Sequence, residues 1–116
     1  RWVDSIEYGL MRIGGSSMSD LRTPEVEDLL RVFAALDDED VIFSLLEDLF
    51  TIREIKDAQR LAVARQLDAG KSYSAIEEAT GASATTIARV SKCLSYGAGG
   101  YNAALNVLDD AEKKRR

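Results

Sequence analysis

A run of small and hydroxyl-bearing side chains, followed by two cations, stands in the second half of the chain as "SATTIARVSK", residues 83–92. Serine and threonine hydroxyls can donate or accept hydrogen bonds at base edges, and alanine and threonine methyl groups can contact the methyl group of thymine. Arginine and lysine can contact phosphates. The base-contact candidates are Ser83, Ala84, Thr85, Thr86 and Ala88, and the phosphate-contact candidates are Ser72, Tyr73, Ser74, Arg89 and Lys92.

Two short helices separated by a glycine must position these side chains. Ser72 and Ser83 are suitable N-caps, and Gly81 can adopt the backbone conformation of a sharp turn. The spacing predicts a helix-turn-helix over residues 72–94. The apolar residues expected to fill the angle between the helices are Ile76, Ala79, Ile87 and Val90. An ordinary helical hairpin without a DNA-binding role remains the alternative.

The rest of the chain also predicts helices, with no alternating strand pattern. Thr23 and Pro24 are suited to begin one helix. Thr51 and Glu54 fit a capping box at the start of another, which is expected to continue past Leu67 and end near Gly70. Further helices are expected over 41–50 and 101–108. The sequence therefore predicts an all-α fold.

A length of 116 residues fits one domain. We expect that domain over residues 21–108, an N-terminal extension or flexible arm over 1–20, and a charged, solvated tail over 109–116. Met18, after "GGSS", could be the natural start, in which case the preceding residues are an upstream extension. The alternative is a genuine arm.

Charge is distributed unevenly along the chain, whose net charge is −5. Residues 1–52 carry 4 basic and 12 acidic side chains, whereas residues 53–93 carry 7 basic and 5 acidic ones. Segment 41–50 is apolar over more than one helical face, which favours a core shared between two subunits over burial within one. The acidic half also leaves a competing function open, namely a helical dimer that binds a protein partner through its acidic N-terminal surface.

The composition argues against an enzyme, a metal site or a cofactor. The sequence has no histidine and a single cysteine, Cys93, which is expected to be buried or half-buried. The acidic cluster 37–40 lacks the spacing and glycine of a calcium loop. No apolar stretch approaches 18 residues and no secretory signal is evident, so we expect a cytoplasmic protein.

The segment "AQRLAVARQLDAGKSYSAIEEATGASATTIARVSKCLSYG", residues 58–97, resembles the Trp repressor superfamily, and most closely its YerC/YecD-like branch. The most specific part is "TGASATTIARVSKCLSYG", and weaker similarity extends from about residue 18 to 108. The resemblance implies six helices in an intertwined homodimer with two helix-turn-helix heads. It further implies a sequence-specific transcriptional regulator, expected to be a repressor, that binds double-stranded DNA at a palindromic operator.

The resemblance also implies a site for a small-molecule effector of unknown identity. Arg60 and Arg89 match the two arginines that bracket the corepressor in tryptophan-sensing relatives, and Thr51 matches a threonine near the ligand. Val90 stands where those relatives have a glycine, and Cys93 where they have a serine. Because the valine methyl groups would narrow the pocket, we predict that tryptophan is not the effector. The alternative for both arginines is pairing with a local carboxylate or with DNA phosphate.

Overall fold

The computed structural model describes residues 18–115, in which all regular structure is helical. A short 3-10 helix, Met18–Leu21, precedes the α-helices. These are α1 (Pro24–Ala35), α2 (Glu39–Leu49), α3 (Ile52–Lys56), α4 (Gln59–Asp68), α5 (Tyr73–Thr80), α6 (Ala84–Tyr96) and α7 (Gly100–Arg115). Since α3 and α4 form one interrupted helical segment, the prediction of an all-α fold with six helices is confirmed.

Hydroxyl side chains begin several helices as the sequence predicts. The Thr23 hydroxyl accepts from the backbone N–H of Val26, with Pro24 at the first helical position. At the start of α3, Thr51 and Glu54 form a reciprocal capping box. These bonds satisfy backbone N–H groups that have no partner inside the helix, which fixes where each helix begins.

Two helix boundaries differ from the sequence prediction. The helix that begins after Thr51 is interrupted at Asp57 and Ala58, where the backbone bonds from Asp57 to Glu54 and from Ala58 to Ile55 span three residues instead of four. The last helix is longer than expected, because α7 continues through the exposed residues 109–115 predicted as a tail. Of the N-terminal extension or flexible arm predicted over residues 1–20, residues 1–17 lie outside the described residues, and residues 18–20 belong to the 3-10 helix.

The chain divides into two compact units at Leu49 and Phe50. The core of the second unit lies where α4 packs against α5, α6 and α7. Its buried residues are Val63, Ala64, Ile76, Ala82, Ile87, Val90 and Leu105. Through this core, the two helices of the predicted helix-turn-helix pack against α4, which precedes them in the sequence, and α7, which follows them.

The first unit contains α1 and α2, and neither helix has a fully buried residue. Its large exposed apolar side chains are Leu30, Val32, Val41, Phe43 and Leu49. An open groove of about 680 Å³ is lined by Val26, Leu29, Val32, Leu45 and Leu49, together with Glu25 and Asp28. The expected burial of α2 from several sides is thus not found among residues 18–115. Among the described helices, none has the length and apolar character needed to cross a bilayer.

Candidate nucleic-acid interface

The turn between α5 and α6 is built around Gly81, whose φ of 77° lies in the left-handed region that favours glycine. Its N–H donates to the carbonyl of Glu77 at 2.8 Å and ends α5. The hydroxyl of Thr80 donates to the carbonyl of Ile76 at 2.7 Å and accepts from the N–H of Ala82 at 3.2 Å. These three hydrogen bonds are local to the turn, and only three residues, 81–83, separate α5 from α6.

Apolar side chains fill the space between the two helices. Ile76 on α5 and Ile87 and Val90 on α6 are buried, as predicted. The prediction was wrong for Ala79, which is exposed. Ala82, in the turn itself, is buried instead. The Ala82 side chain is buried because the turn passes directly over the core.

Four of the ten side chains that the sequence analysis assigned to DNA lie together on the outer face of α6. They are Thr85, Ala88, Arg89 and Lys92, and all four are exposed. Their helical spacings place them opposite Ile87 and Val90. Sequence analysis missed Tyr96, which is 85% exposed and four residues beyond Lys92 on the same face. The helical period could have identified it.

The hydroxyl groups at the start of α6 differ in their hydrogen bonding. Ser83 caps the helix by accepting from the N–H of Thr86 at 3.2 Å, and its hydroxyl also contacts the Thr86 hydroxyl at 3.2 Å. Thr86 is accordingly half-buried, whereas Ala84 beside it is exposed. Thr85 makes no side-chain hydrogen bond within residues 18–115, so its hydroxyl and methyl groups can both contact an external partner.

The start of α5 carries three more residues predicted to contact DNA. Ser72 caps α5 by accepting from the N–H of Ala75 at 3.2 Å. Tyr73 and Ser74 follow at the first helical positions, and both are exposed. The predicted phosphate-contact residues thus occupy the beginning of α5 and the outer face of α6.

The predicted effector residues are not gathered around one cavity. A cavity of about 510 Å³ is lined by Arg60 and Cys93 with residues of the 98–104 segment, but Thr51 and Arg89 do not line it. The Thr51 hydroxyl is instead within 3.0 Å of the Glu54 carboxylate in the capping box. The prediction that the Val90 methyl groups narrow the pocket was wrong for this cavity, because Val90 is buried in the core and does not line it.

Of the two predicted residues that line this cavity, Arg60 agrees with one of its sequence predictions and Cys93 does not. Arg60 pairs with Asp57 at 3.9 Å, in agreement with the alternative stated for it, although both side chains are too exposed for the pair to contribute much stability. The expectation for Cys93 was wrong, because the thiol is exposed at the cavity. In the described part of the chain, no group of three or more histidine, cysteine or acidic side chains could hold a metal ion.

Comparisons with known proteins agree on one family. Residues 24–109 match the family described as Trp repressor protein. The uncharacterized protein YerC of Bacillus subtilis (strain 168) is 43% identical over 93 residues, covering 79% of this chain and 89% of YerC. A candidate Trp repressor from Staphylococcus aureus superposes with a TM-score of 0.75 at 31% identity, covering 80% of this chain and 94% of that one. A TrpR-like protein from Eubacterium eligens ATCC 27750 gives 0.73 at 39% identity, covering 78% and 95%.

Proposed function

Because the chain belongs to the Trp repressor family, in its YerC-like branch, we propose that it is a sequence-specific DNA-binding repressor that reads a palindromic operator. The observation that carries this proposal is the outer face of α6, where small side chains and two cations are exposed on a helix held by a glycine turn. A helix of this kind can enter the major groove, with its first turns against the base edges. The name of the S. aureus relative supports repression.

Within this proposal, α6 is the recognition helix, and the base contacts are made by Ser83, Ala84, Thr85, Thr86 and Ala88. The phosphate contacts are made by Ser72, Tyr73, Ser74, Arg89 and Lys92. Thr85 is the strongest base-contact candidate because its hydroxyl is not used in a helix cap, whereas those of Ser83 and Thr86 contact each other.

The functional unit is proposed to be a homodimer, with a second copy of the chain covering the apolar groove of α1 and α2. Neither helix buries a residue completely by itself, and exposed apolar patches of this kind are typical of subunit interfaces. A dimer also doubles the number of phosphate contacts, which matters because one recognition helix supplies only Arg89 and Lys92 as cations. Two symmetric heads would contact half-sites about one helical turn, ~34 Å, apart.

Selection of bound sequences from a random duplex pool tests the proposal, and salt titration of the selected site tests the phosphate contacts. We expect an inverted repeat to be enriched. We also expect Arg89→Ala or Lys92→Ala to lower the slope of log affinity against log salt by about 1.8 per dimer, since each substitution removes two phosphate contacts and each contact contributes about 0.9. Lys113→Ala, near the end of α7, is the control for removal of one positive charge per chain and should leave the slope unchanged.

The same experiment separates the two functions considered from the sequence. Failure to enrich any sequence, together with affinity that does not fall as salt rises, would contradict DNA binding. That outcome would favour the helical dimer that binds a protein partner through its acidic N-terminal surface.

We further propose that any effector of this protein is not tryptophan. Thr51 and Arg89 do not line the cavity beside Arg60, and the Thr51 hydroxyl contacts the Glu54 carboxylate, so the three predicted effector residues do not form one pocket. Isothermal titration of the protein with L-tryptophan should therefore give no binding at micromolar concentrations. Micromolar binding that disappears in Arg60→Ala would contradict this proposal, while Arg65→Ala on the same helix is the control.

A further inference from the structure

The turn before the recognition helix receives a hydrogen bond from outside the helix-turn-helix. The side-chain amide of Gln59, at the first position of α4, donates to the backbone carbonyl of Thr80. The amide lies beside the turn, since its nitrogen is 3.8 Å from the position that a Cβ on Gly81 would occupy. Thr80 is the last residue of α5, where backbone carbonyls have no partner inside the helix.

A second side-chain amide bonds the last turn of the recognition helix. The side-chain amide of Asn102, in the first turn of α7, donates to the backbone carbonyl of Leu94 at 3.3 Å. Leu94 belongs to the last turn of α6, so this carbonyl also lacks a helical partner. Two amide side chains, on two different helices, thus bond the helix-turn-helix at two places: the end of α5, four residues before α6 begins, and the last turn of α6.

We propose that Gln59 and Asn102 form an amide clamp that sets the orientation of the recognition helix relative to the helices supporting it. The inference rests on the proposed DNA-binding function. Packing of Ile87 and Val90 resists separation of α6 from the core, but non-directional apolar contacts resist rotation and sliding of a helix less well. The two hydrogen bonds are directional: one acts on the end of α5, where the turn into α6 begins, and the other acts on the last turn of α6.

Both clamp residues are positioning residues for specificity. Base-edge contacts need the recognition helix in one orientation, whereas non-specific binding to phosphates tolerates several. Release of either end should therefore weaken binding to the operator more than binding to unrelated DNA. A mere decrease in folded protein would lower the active fraction and reduce both affinities equally, so the ratio of the two affinities reports on orientation.

The test uses the full chain and the operator selected with the wild-type protein. Gln59→Met and Asn102→Leu keep side chains of similar size and remove the N–H donor. For each recognition helix we expect the ratio of operator to non-specific affinity to fall by about threefold to tenfold, the range that corresponds to one net hydrogen bond, and a dimer would show the product of two such factors. Gln66→Met on α4 and Asn106→Leu on α7 are matched controls that leave the clamp intact.

The outcomes distinguish this inference from the proposed function. If the wild-type protein selects no operator, the DNA-binding proposal itself fails. If it selects an operator and both clamp variants keep the wild-type affinity ratio, the clamp is wrong while the DNA-binding function stands. A fall in the ratio for the clamp variants but not for Gln66→Met or Asn106→Leu supports the clamp.

Discussion

Leu45→Asp is expected to convert the proposed dimer into monomers at micromolar concentration. Leu45 lines the apolar groove of α1 and α2, and the charged residues that also line this groove, Glu25 and Asp28, are acidic. A new carboxylate would therefore be buried on dimerisation among apolar and acidic side chains. Removal of a buried leucine costs about 1.5–3 kcal/mol, and an unpaired buried charge costs about 3–5 kcal/mol. The two-fold symmetry of a homodimer imposes this cost twice.

The dissociation constant of the dimer should accordingly rise by on the order of a thousandfold or more. Sedimentation equilibrium over a range of protein concentrations measures the change directly. Val107→Asp provides the control, because Val107 on α7 is 67% exposed and does not line the groove. It introduces the same charge in place of an apolar side chain and should leave the oligomeric state unchanged.

A wild-type protein that remains monomeric at high micromolar concentration would contradict the proposed homodimer. So would a Leu45→Asp protein that stays folded and dimeric. Operator binding should fall together with dimerisation, because a monomer presents one head to a palindrome and leaves the other half-site without a partner.

Local chemistry explains why the helix starts could be predicted from the sequence. A cap depends on a hydroxyl residue and a backbone N–H two or three positions later, so Thr23, Thr51, Ser72 and Ser83 carry the information in their own neighbourhoods. The left-handed turn at Gly81 is predictable for the same reason. These short-range signals were sufficient for the order of the helices in the second unit.

Features that depend on packing between helices were harder to predict. Ala79 and Ala82 are three residues apart and chemically identical, and only the path of the turn over the core decides that Ala82 is the buried one. The interruption at Asp57 and Ala58 has no glycine or proline to announce it. The exposed position of Cys93 follows from the cavity between α4, α6 and α7, which the sequence alone does not show.

The candidate DNA-binding site could be predicted from the sequence only in part. Helical periodicity was enough to place Thr85, Ala88 and Arg89 on the exposed side of one helix. The different hydrogen bonding of Thr85 and Thr86 required coordinates, because it depends on where the Ser83 hydroxyl lies after it has capped α6. The clamp residue Gln59 was missed because it is 21 positions from its partner in the sequence.

Thr85→Ala is expected to weaken operator binding by about 1–3 kcal/mol for each base contact that it removes, and a dimer would be deprived of two. Affinity for the selected operator should therefore fall by at least about thirtyfold, with little change in affinity for unrelated DNA. The fold should be unaffected, since Thr85 is exposed and its side chain makes no hydrogen bond within the described residues. Fluorescence anisotropy with the operator and a scrambled duplex measures both affinities.

Ser95→Ala is the matched control, because it removes an exposed hydroxyl from the last turns of the same helix, away from the end that enters the groove. Thr86→Ala gives a second comparison: its hydroxyl already contacts Ser83, so part of its effect should appear as lower thermal stability. If Thr85→Ala bound the operator as tightly as Ser95→Ala, the outer face of α6 would not be the base-reading surface. Binding would then have to be reassigned to the start of α5, where Tyr73 and Ser74 are exposed.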